Sequence, residues 1–452
     1  MKKLSMEIVN AFSAGIDVGS RFHMVAVNQN NEDVKQFGVY TADHHEMIAY
    51  LKHHGITSIA MESTGSYWQT LFSALQTAGF EVLLVNGLQT QNIKGKKTDV
   101  QDCVWIQKLH SLGLLSGSFL PAHHTEQLRT YYNHRLHVVE QTSRYINKMQ
   151  KALRLMNIRL DVVLNDITGK SGRAIIAAIL NGERNAEVLA SLADIRVKKS
   201  KEELAKSLEG NWREDLLFEI RECLSLHDIY EKKIVQCDQQ LNKILQSIES
   251  PVGAMTPISK SVCIKRRTKH SPTFEVRTLA SGHFGVDLFA IPALSYNTIL
   301  CLLTNMRRED IQKFPSVKNF TSWLRLAPNN KKTGGRIISS RTPKGKNKIA
   351  LAFRQAANCI GNMKSHPLLM FFRRMAYRKG RAAAITATAR KLAAIFYQMV
   401  KKQQPYEPIN NEVLSEKIKN QQIKNLKRQL EKLSLNEEQL NTLFQNLSLS
   451  TA

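Results

Sequence analysis

An acidic side chain inside an apolar strand is expensive to bury unless a cation compensates it, and this chain carries one near its start. In AGIDVGSRFHMVAVN, Asp17 has alternating apolar residues on both sides and Gly19-Ser20 follows, so the segment reads as a strand running into a hairpin with Asp17 mid-strand. A second strand, SIAMESTGSYW, ends on Glu62. A third, FEVLLVNG, precedes NIKGKKTDVQDCVWIQKLHSL, a loop feeding an amphipathic helix whose first turn holds Asp99 and Asp102. Residues three apart share a helix face, so these two carboxylates point the same way. The alternation of strand and helix makes this first region an α/β domain.

Oxygen ligands of this kind suit Mg²⁺ or Mn²⁺, and a pair of such ions stabilises both the attacking and the leaving oxygen of an in-line phosphoryl displacement. Asp17, Glu62, Asp99 and Asp102 are therefore candidate metal ligands. Taken singly, each has a plainer reading: Asp17 and Glu62 end strands, and Asp99 caps a helix N-terminus, where the dipole favours negative charge. The conjunction of all four is what favours the metal.

At 452 residues the chain has room for two or three domains with ordinary cores. Its 64 Lys and Arg outnumber 38 Asp and Glu, a net charge of +26, and the excess is concentrated. From Ile311 through Tyr406 there is no acidic residue against 21 Lys and Arg. A stretch with that bias and with apolar periodicity is a folded basic surface, the footprint of a polyanion such as nucleic acid. No apolar run approaches the roughly 20 residues of a spanning helix, and MKKLSMEIVNAFSAG lacks the apolar core of a signal peptide. The six cysteines, at 103, 223, 237, 263, 301 and 359, form no CxxC or Cys/His cluster, which argues against zinc and disulfides and fits a reducing cytoplasm.

Residues 1–123 make up the α/β domain and 124–250 turn helical. There Tyr230, Ile234, Cys237, Leu241, Ile244 and Ile248 step by four and three, the seam of a coiled coil or a long helical hairpin; a helix packed within its own domain is the alternative. Residues 251–288, with CIKRRTKHSP and SGHFG, read as a basic exposed linker or insertion. A second globular region follows at 289–404. Its middle, LAPNNKKTGGRIISSRTPKGKNK, reads as a loop or short hairpin on a helical scaffold. In the tail, 405–452, Ile423, Leu426, Leu430 and Leu433 resume a heptad.

GIDVGS, MESTGSYW and GKKTDVQDCVWIQKL resemble the N-terminal signature of the IS110-type (IS110/IS1111) transposases, and NIRLDVVLNDITGKSGRAIIAAILNGER, FPSVKNFTSWLRLAPNN, TGGRIISSRTPKGKNK and AAAITATARKLAAIFYQM resemble the helical linker and C-terminal domain of that family. The resemblance spans nearly the whole chain apart from Ile264 to His283. It implies a RuvC-like, RNase H-fold domain with a D-E-D-D metal set, here Asp17, Glu62, Asp99 and Asp102, followed by a helical coiled-coil linker and a mainly α C-terminal transposase domain. It also implies recombination of double-stranded DNA directed by an RNA encoded beside the transposase gene, in a bacterial cytoplasm; the coiled-coil stretches are the natural means of assembling distant site residues between domains or subunits, so a homo-oligomer, dimer or tetramer, is expected. In the family a serine of the C-terminal domain cooperates with the acidic site.

The family places that serine in an SGG loop followed by a basic residue, and this chain reads Lys332-Thr333-Gly334-Gly335-Arg336. Thr333 stands in the nucleophile's position. A threonine hydroxyl can attack phosphorus, but its methyl restricts χ1 and crowds an in-line approach. Ser339 and Ser340 lie beyond the double glycine and are fallbacks; a turn residue without chemistry is the plain reading of Thr333. Lys331, Lys332, Gly334, Gly335, Arg336, Arg341, Lys344, Lys346 and Lys348 are the candidate nucleic-acid contacts. A second departure is Ile291-Pro292-Ala293-Leu294, where the family's pattern has glycine after the proline in a turn that alanine restricts.

The reading is a transposase-type DNA recombinase that uses Mg²⁺ or Mn²⁺. Two rivals stand beside it: a hydrolytic junction-resolving or nicking nuclease that has no use for Thr333, and a transposase-derived nucleic-acid-binding protein without chemistry.

Overall fold

The computed structural model describes residues 7–63, 65–90, 98–118, 123–248, 267–345 and 347–407, with scattered positions from 416 to 428. The chain divides into two compact units, Met1–Leu120 and Pro121–Ala452.

The first unit is built on a five-stranded mixed sheet in the order β3-β2-β1-β4-β5, formed by Ser13–Val18 (β1), His23–Ala26 (β2), Lys35–Phe37 (β3), Ser58–Glu62 (β4) and Glu81–Val85 (β5). β1, β2 and β3 pair antiparallel, whereas β1, β4 and β5 pair parallel. The expected hairpin is β1 and β2, with Asp17 opposite Met24. Asp17 is the penultimate residue of β1 rather than a central one, which leaves it only half-buried.

Alternation along β1 and β4 assigns the two faces of the sheet. Ile16, Val18, Ile59 and Met61 pack with Met47 and Leu51 of the helix Thr41–His53 and with Leu71 and Leu75 of the helix Trp68–Thr77. Each such side chain contributes about 1.5–3 kcal/mol when fully buried. Gly15, Asp17, Ala60 and Glu62 belong to the opposite face, which the helix Asp99–Ser111 covers. That helix starts where it does because Thr98, not Asp99, is its cap: the Thr98 hydroxyl accepts the Gln101 N–H at 3.3 Å. The capping alternative for Asp99 is thereby replaced, and both acids lie in the first turn.

The second unit is mainly helical. Two long helices, His123–Leu155 and Glu214–Ser247, run antiparallel, since Tyr145 stacks on Tyr230 (ring centroids 5.6 Å) while Arg135 pairs with Asp238 (2.5 Å). Ile234, Cys237, Leu241 and Ile248 of the seam are buried, Leu241 and Ile248 in a core that joins Leu128 of the facing helix to the C-terminal region, so a pattern that also suits an intermolecular coiled coil is satisfied inside one chain. Between the two helices, residues 156–213 form an insert whose Met156, Ile175, Ile179 and Leu208 share a core with Leu153 and Ile220 of the long helices.

The Arg135–Asp238 pair is nearly sealed from solvent, at 2% and 0% exposure. Its remaining hydrogen-bonding capacity goes to the segment beyond: Asp238 accepts the Thr273 N–H at 3.1 Å and Arg135 donates to the His270 carbonyl at 3.0 Å. This corrects the reading of 251–288 as an exposed linker, because its described part is fastened to the hairpin and then folds. Val276, Ala280 and Phe284 recur every fourth residue on the helix Val276–Phe284 and are fully buried in the C-terminal core. Basic and polar neighbours mask that period in the sequence. Residues 251–266 of the same segment lie outside the described residues, as do Leu426, Leu430 and Leu433 of the proposed tail heptad.

The C-terminal core gathers Phe284, Phe320, Phe353 and Phe396, with Phe284 edge-on to Phe396 at 5.5 Å. No described helix is long and apolar enough to cross a membrane. Ala293 adopts φ +67°, the left-handed region that an L side chain enters at a cost of roughly 1–2 kcal/mol. Replacing Ala293 with glycine removes that cost, and the expected result is a gain of up to about 1 kcal/mol in thermal or urea unfolding. A loss of stability would show that the packing of the Ala293 methyl on the core outweighs the strain.

Candidate functional site

The site is built where β1 and β4 end side by side. Ile16 pairs with Met61 in the parallel ladder, so the next residues, Asp17 and Glu62, come level at the C-terminal ends of the two strands and on the same face. The helix Asp99–Ser111 reaches them by lying with its backbone against the sheet. A Cβ on Gly15 would stand 2.3 Å from the Gln107 backbone nitrogen and 2.4 Å from the Cys103 carbonyl oxygen, so only glycine permits this approach. Two polar contacts fix the far half of the helix: Gln107 Nε2 donates to the Ser13 carbonyl at 3.2 Å, and His110 Nε2 lies 2.8 Å from Ser58 Oγ. Its first turn is thereby held beside Asp17.

Asp17, Glu62, Asp99 and Asp102 consequently line one cleft of about 490 Å³, together with Arg21. The negative field is registered by Cys103 one residue along, whose thiol is pushed up to about 12 by burial first and then by Asp17, with Asp102 adding to the effect. Glu62 is held by a residue that the sequence did not single out: Thr90 Oγ1 donates to Glu62 Oε2 at 2.6 Å. Nothing in the local pattern around Thr90 marks it, since the contact depends on the chain turning back after β5.

The donor set is all carboxylate oxygen, the chemistry that suits Mg²⁺ or Mn²⁺. Among the described residues, however, no three His, Cys, Asp or Glu side chains are grouped to hold an ion together. The four acids line one cleft without converging on a point. Like charges repel across the cleft, and the hydrogen bond from Thr90 holds one of the four carboxylates where it stands.

In the second unit, Lys331–Thr333 (β6) and Arg336–Ser339 (β7) form a two-stranded hairpin. Its turn is Gly334-Gly335, with φ +50° and +75°, the two-residue geometry that matches strand twist and demands glycine. Thr333 pairs with Arg336 beside the tip, whereas Ser339 pairs with Lys331 at the base. Lys331, Lys332, Thr333 and Arg336 are exposed, and so are Ile337 and Ile338. An isolated two-stranded ribbon is marginal in water. This one is tied at its base by the Asn329 N–H to the Arg341 carbonyl and by Arg325 to the Lys344 carbonyl. Lys348 departs from expectation: it starts the helix Lys348–Asn362, bonds Asn133 of the long helix and has its pKa lowered by burial, so its ammonium is engaged in tertiary structure. Lys346 lies outside the described residues.

A family model for the IS110 DEDD transposase matches residues 14–158, and one described as the IS116/IS110/IS902 transposase family matches residues 287–370. The chain belongs to the IS110 family of transposases. The four acids of this transposase fall within the first match and its Thr333 hairpin within the second. A search of curated proteins finds no significant match.

The seat of the transposase's acidic cleft rests on Gly15. Gly15→Ala is expected to cost about 1–3 kcal/mol of stability through overpacking against the helix backbone, measured by chemical denaturation. Stability equal to the parent would show that the helix does not press on β1.

Proposed function

We propose that this transposase cleaves and rejoins double-stranded DNA in a divalent-metal-dependent reaction, directed by an RNA encoded beside its gene. The observation that carries the reading is the cleft into which four carboxylates from two adjacent strand ends and one helix turn are gathered. The strand order 3-2-1-4-5, with a parallel pairing at β1–β4, supports assigning the first unit to the RNase H-like folds.

In this reading Asp17, Glu62, Asp99 and Asp102 hold Mg²⁺ or Mn²⁺. When bound, the ions neutralise charge on the phosphoryl group and on the departing 3′ oxygen. Thr90 orients the Glu62 carboxylate, a supporting role that typically matters 10–100-fold to a metal site. Arg21, which also lines the cleft, would meet a phosphate there. The nucleophile is the Thr333 hydroxyl: its oxygen bonds to the DNA phosphorus as the bond to the 3′ oxygen breaks, leaving the strand attached to the protein through a 5′ phosphate. The glycine turn beside it leaves backbone N–H groups accessible to phosphate, and Lys331, Lys332, Arg336, Arg341 and Lys344 supply charge. Assembly as a dimer or tetramer belongs to the same proposal.

The test is incubation of the full-length protein with Mg²⁺, the flanking-sequence RNA and junction DNA, followed by recovery of protein–DNA adducts and joined products. Asp17→Ala is expected to abolish cleavage while leaving nucleic-acid binding within a few-fold. Thr333→Ala should remove the adduct and Thr333→Ser should increase it, because serine offers the same oxygen without the hindering methyl. Adducts carried by Ser339 or Ser340 in the Ala variant would move the nucleophile to those residues. Mg²⁺-dependent nicking without any adduct would assign the protein to hydrolytic nucleases instead.

A further inference from the structure

The acid-free segment carries a second cationic surface, on a different element from the β6–β7 hairpin. The helix Leu369–Lys379, LMFFRRMAYRK, buries Leu369 and Phe372 and turns Met370, Arg373, Arg374, Tyr377 and Arg378 outward. Met370, Arg374 and Tyr377 follow one another at helical spacing, so they form one stripe. Tyr377 is 95% exposed and Met370 68%.

Two features distinguish this stripe from an ordinary solvated face. First, it holds cations close together without an acid. Lys391, from the helix Arg381–Lys402, sits half-buried with Nζ 4.2 Å from the centre of the Phe371 ring, and its pKa is lowered by burial and then by Arg374. No carboxylate exists between Ile311 and Tyr406 to relieve that repulsion locally. An incoming anion would. Second, the nearby Arg381 is engaged in tertiary structure while Arg373, Arg374 and Arg378 are exposed: its Nη2 donates to Asn358 and Asn362 at 2.7 Å each, and its guanidinium lies 5.8 Å from the centre of the Phe372 ring. The difference separates a cation that staples helices from those facing outward.

An aromatic ring that stands clear of the protein among cations is the means by which proteins hold unpaired bases, since every base offers a π-face and the backbone offers phosphate. A closed duplex hides its base faces and would meet only the arginines. RNA presents unpaired bases in loops and bulges as its resting state, whereas a double-stranded DNA substrate exposes them only after opening.

We propose that the outer face of the Leu369–Lys379 helix binds a single-stranded stretch of RNA, with an unpaired base stacked on Tyr377 and the adjoining phosphates against Arg374 and Lys391. The inference rests on the nucleic-acid-directed reading given above and adds to it a place and a strand type.

The experiment is fluorescence anisotropy of the full-length protein with a short unstructured RNA, the same sequence as single-stranded DNA, and the corresponding DNA duplex, all at one salt concentration. Tyr377→Ala is expected to weaken RNA binding about tenfold or more, the loss of one stacked base, and to leave duplex binding unchanged. Tyr377→Phe, which keeps the ring, should retain RNA affinity to within roughly twofold. Equal loss on the duplex, RNA affinity unchanged in Tyr377→Ala, or single-stranded DNA bound as tightly as RNA with the same dependence on Tyr377 would each overturn the proposal. Undiminished RNA binding in Tyr377→Ala leaves the transposase mechanism standing, whereas a parent protein that binds none of the three probes removes both.

Discussion

The acidic cleft depends on one backbone-to-backbone approach, the helix Asp99–Ser111 lying directly on β1 at Gly15. Side chains at an ordinary strand–helix interface would hold the two apart by a layer of methyl groups. With that layer absent, the first helical turn comes level with the strand ends, and Asp99 and Asp102 enter the cleft that Asp17 and Glu62 already border. Steric packing at an uncharged residue therefore gathers four like charges that electrostatics alone would separate. The cost of gathering them is the physical basis of the proposal that a divalent cation binds there.

The second unit is organised by a different device. Arg135 and Asp238 take each other out of water across the two long helices, and their spare hydrogen-bonding positions are filled by the backbone of residues 270–273. Removing either partner would leave a buried charge unpaired, a loss of about 3–5 kcal/mol. The pair thus fixes helix register and the point at which the chain enters the C-terminal core. Above that core the basic residues divide into kinds: Lys348 and Arg381 hold helices together, while the hairpin lysines and the arginines of the Leu369–Lys379 helix face outward.

Much of the first unit was legible because period-two alternation and helix-start chemistry are local signals. Glu62 could be placed on a strand end and the Asp99–Asp102 pair in a first helical turn from pattern alone, and Gly334-Gly335 announced a tight turn, whereas Asp17 read as mid-strand although it stands one residue from the end of β1. Gly15 and Thr90 could not be singled out, since each matters through a partner on another element: Gly15 through the backbone at Cys103 and Gln107, Thr90 through Glu62. The helix Val276–Phe284 was hidden for another reason, its fourfold apolar period being carried by few residues in a basic stretch. The seam on Glu214–Ser247 was visible but its partner was not, because an antiparallel hairpin and a coiled coil between chains ask for the same pattern. Charge counts likewise located a basic region without separating Lys348, which packs, from Arg374, which faces outward.

The claim on which the account turns is that the four carboxylates act together on a divalent cation, and direct Mn²⁺ binding to the full-length protein tests it without requiring DNA. Titration followed by electron paramagnetic resonance is expected to detect bound Mn²⁺ in the parent, displaced by Mg²⁺, and affinity reduced about tenfold or more in Asp17→Asn and in Glu62→Gln, each of which removes one charged ligand. Mn²⁺ affinity in both variants equal to that of the parent would contradict the assignment of the cleft.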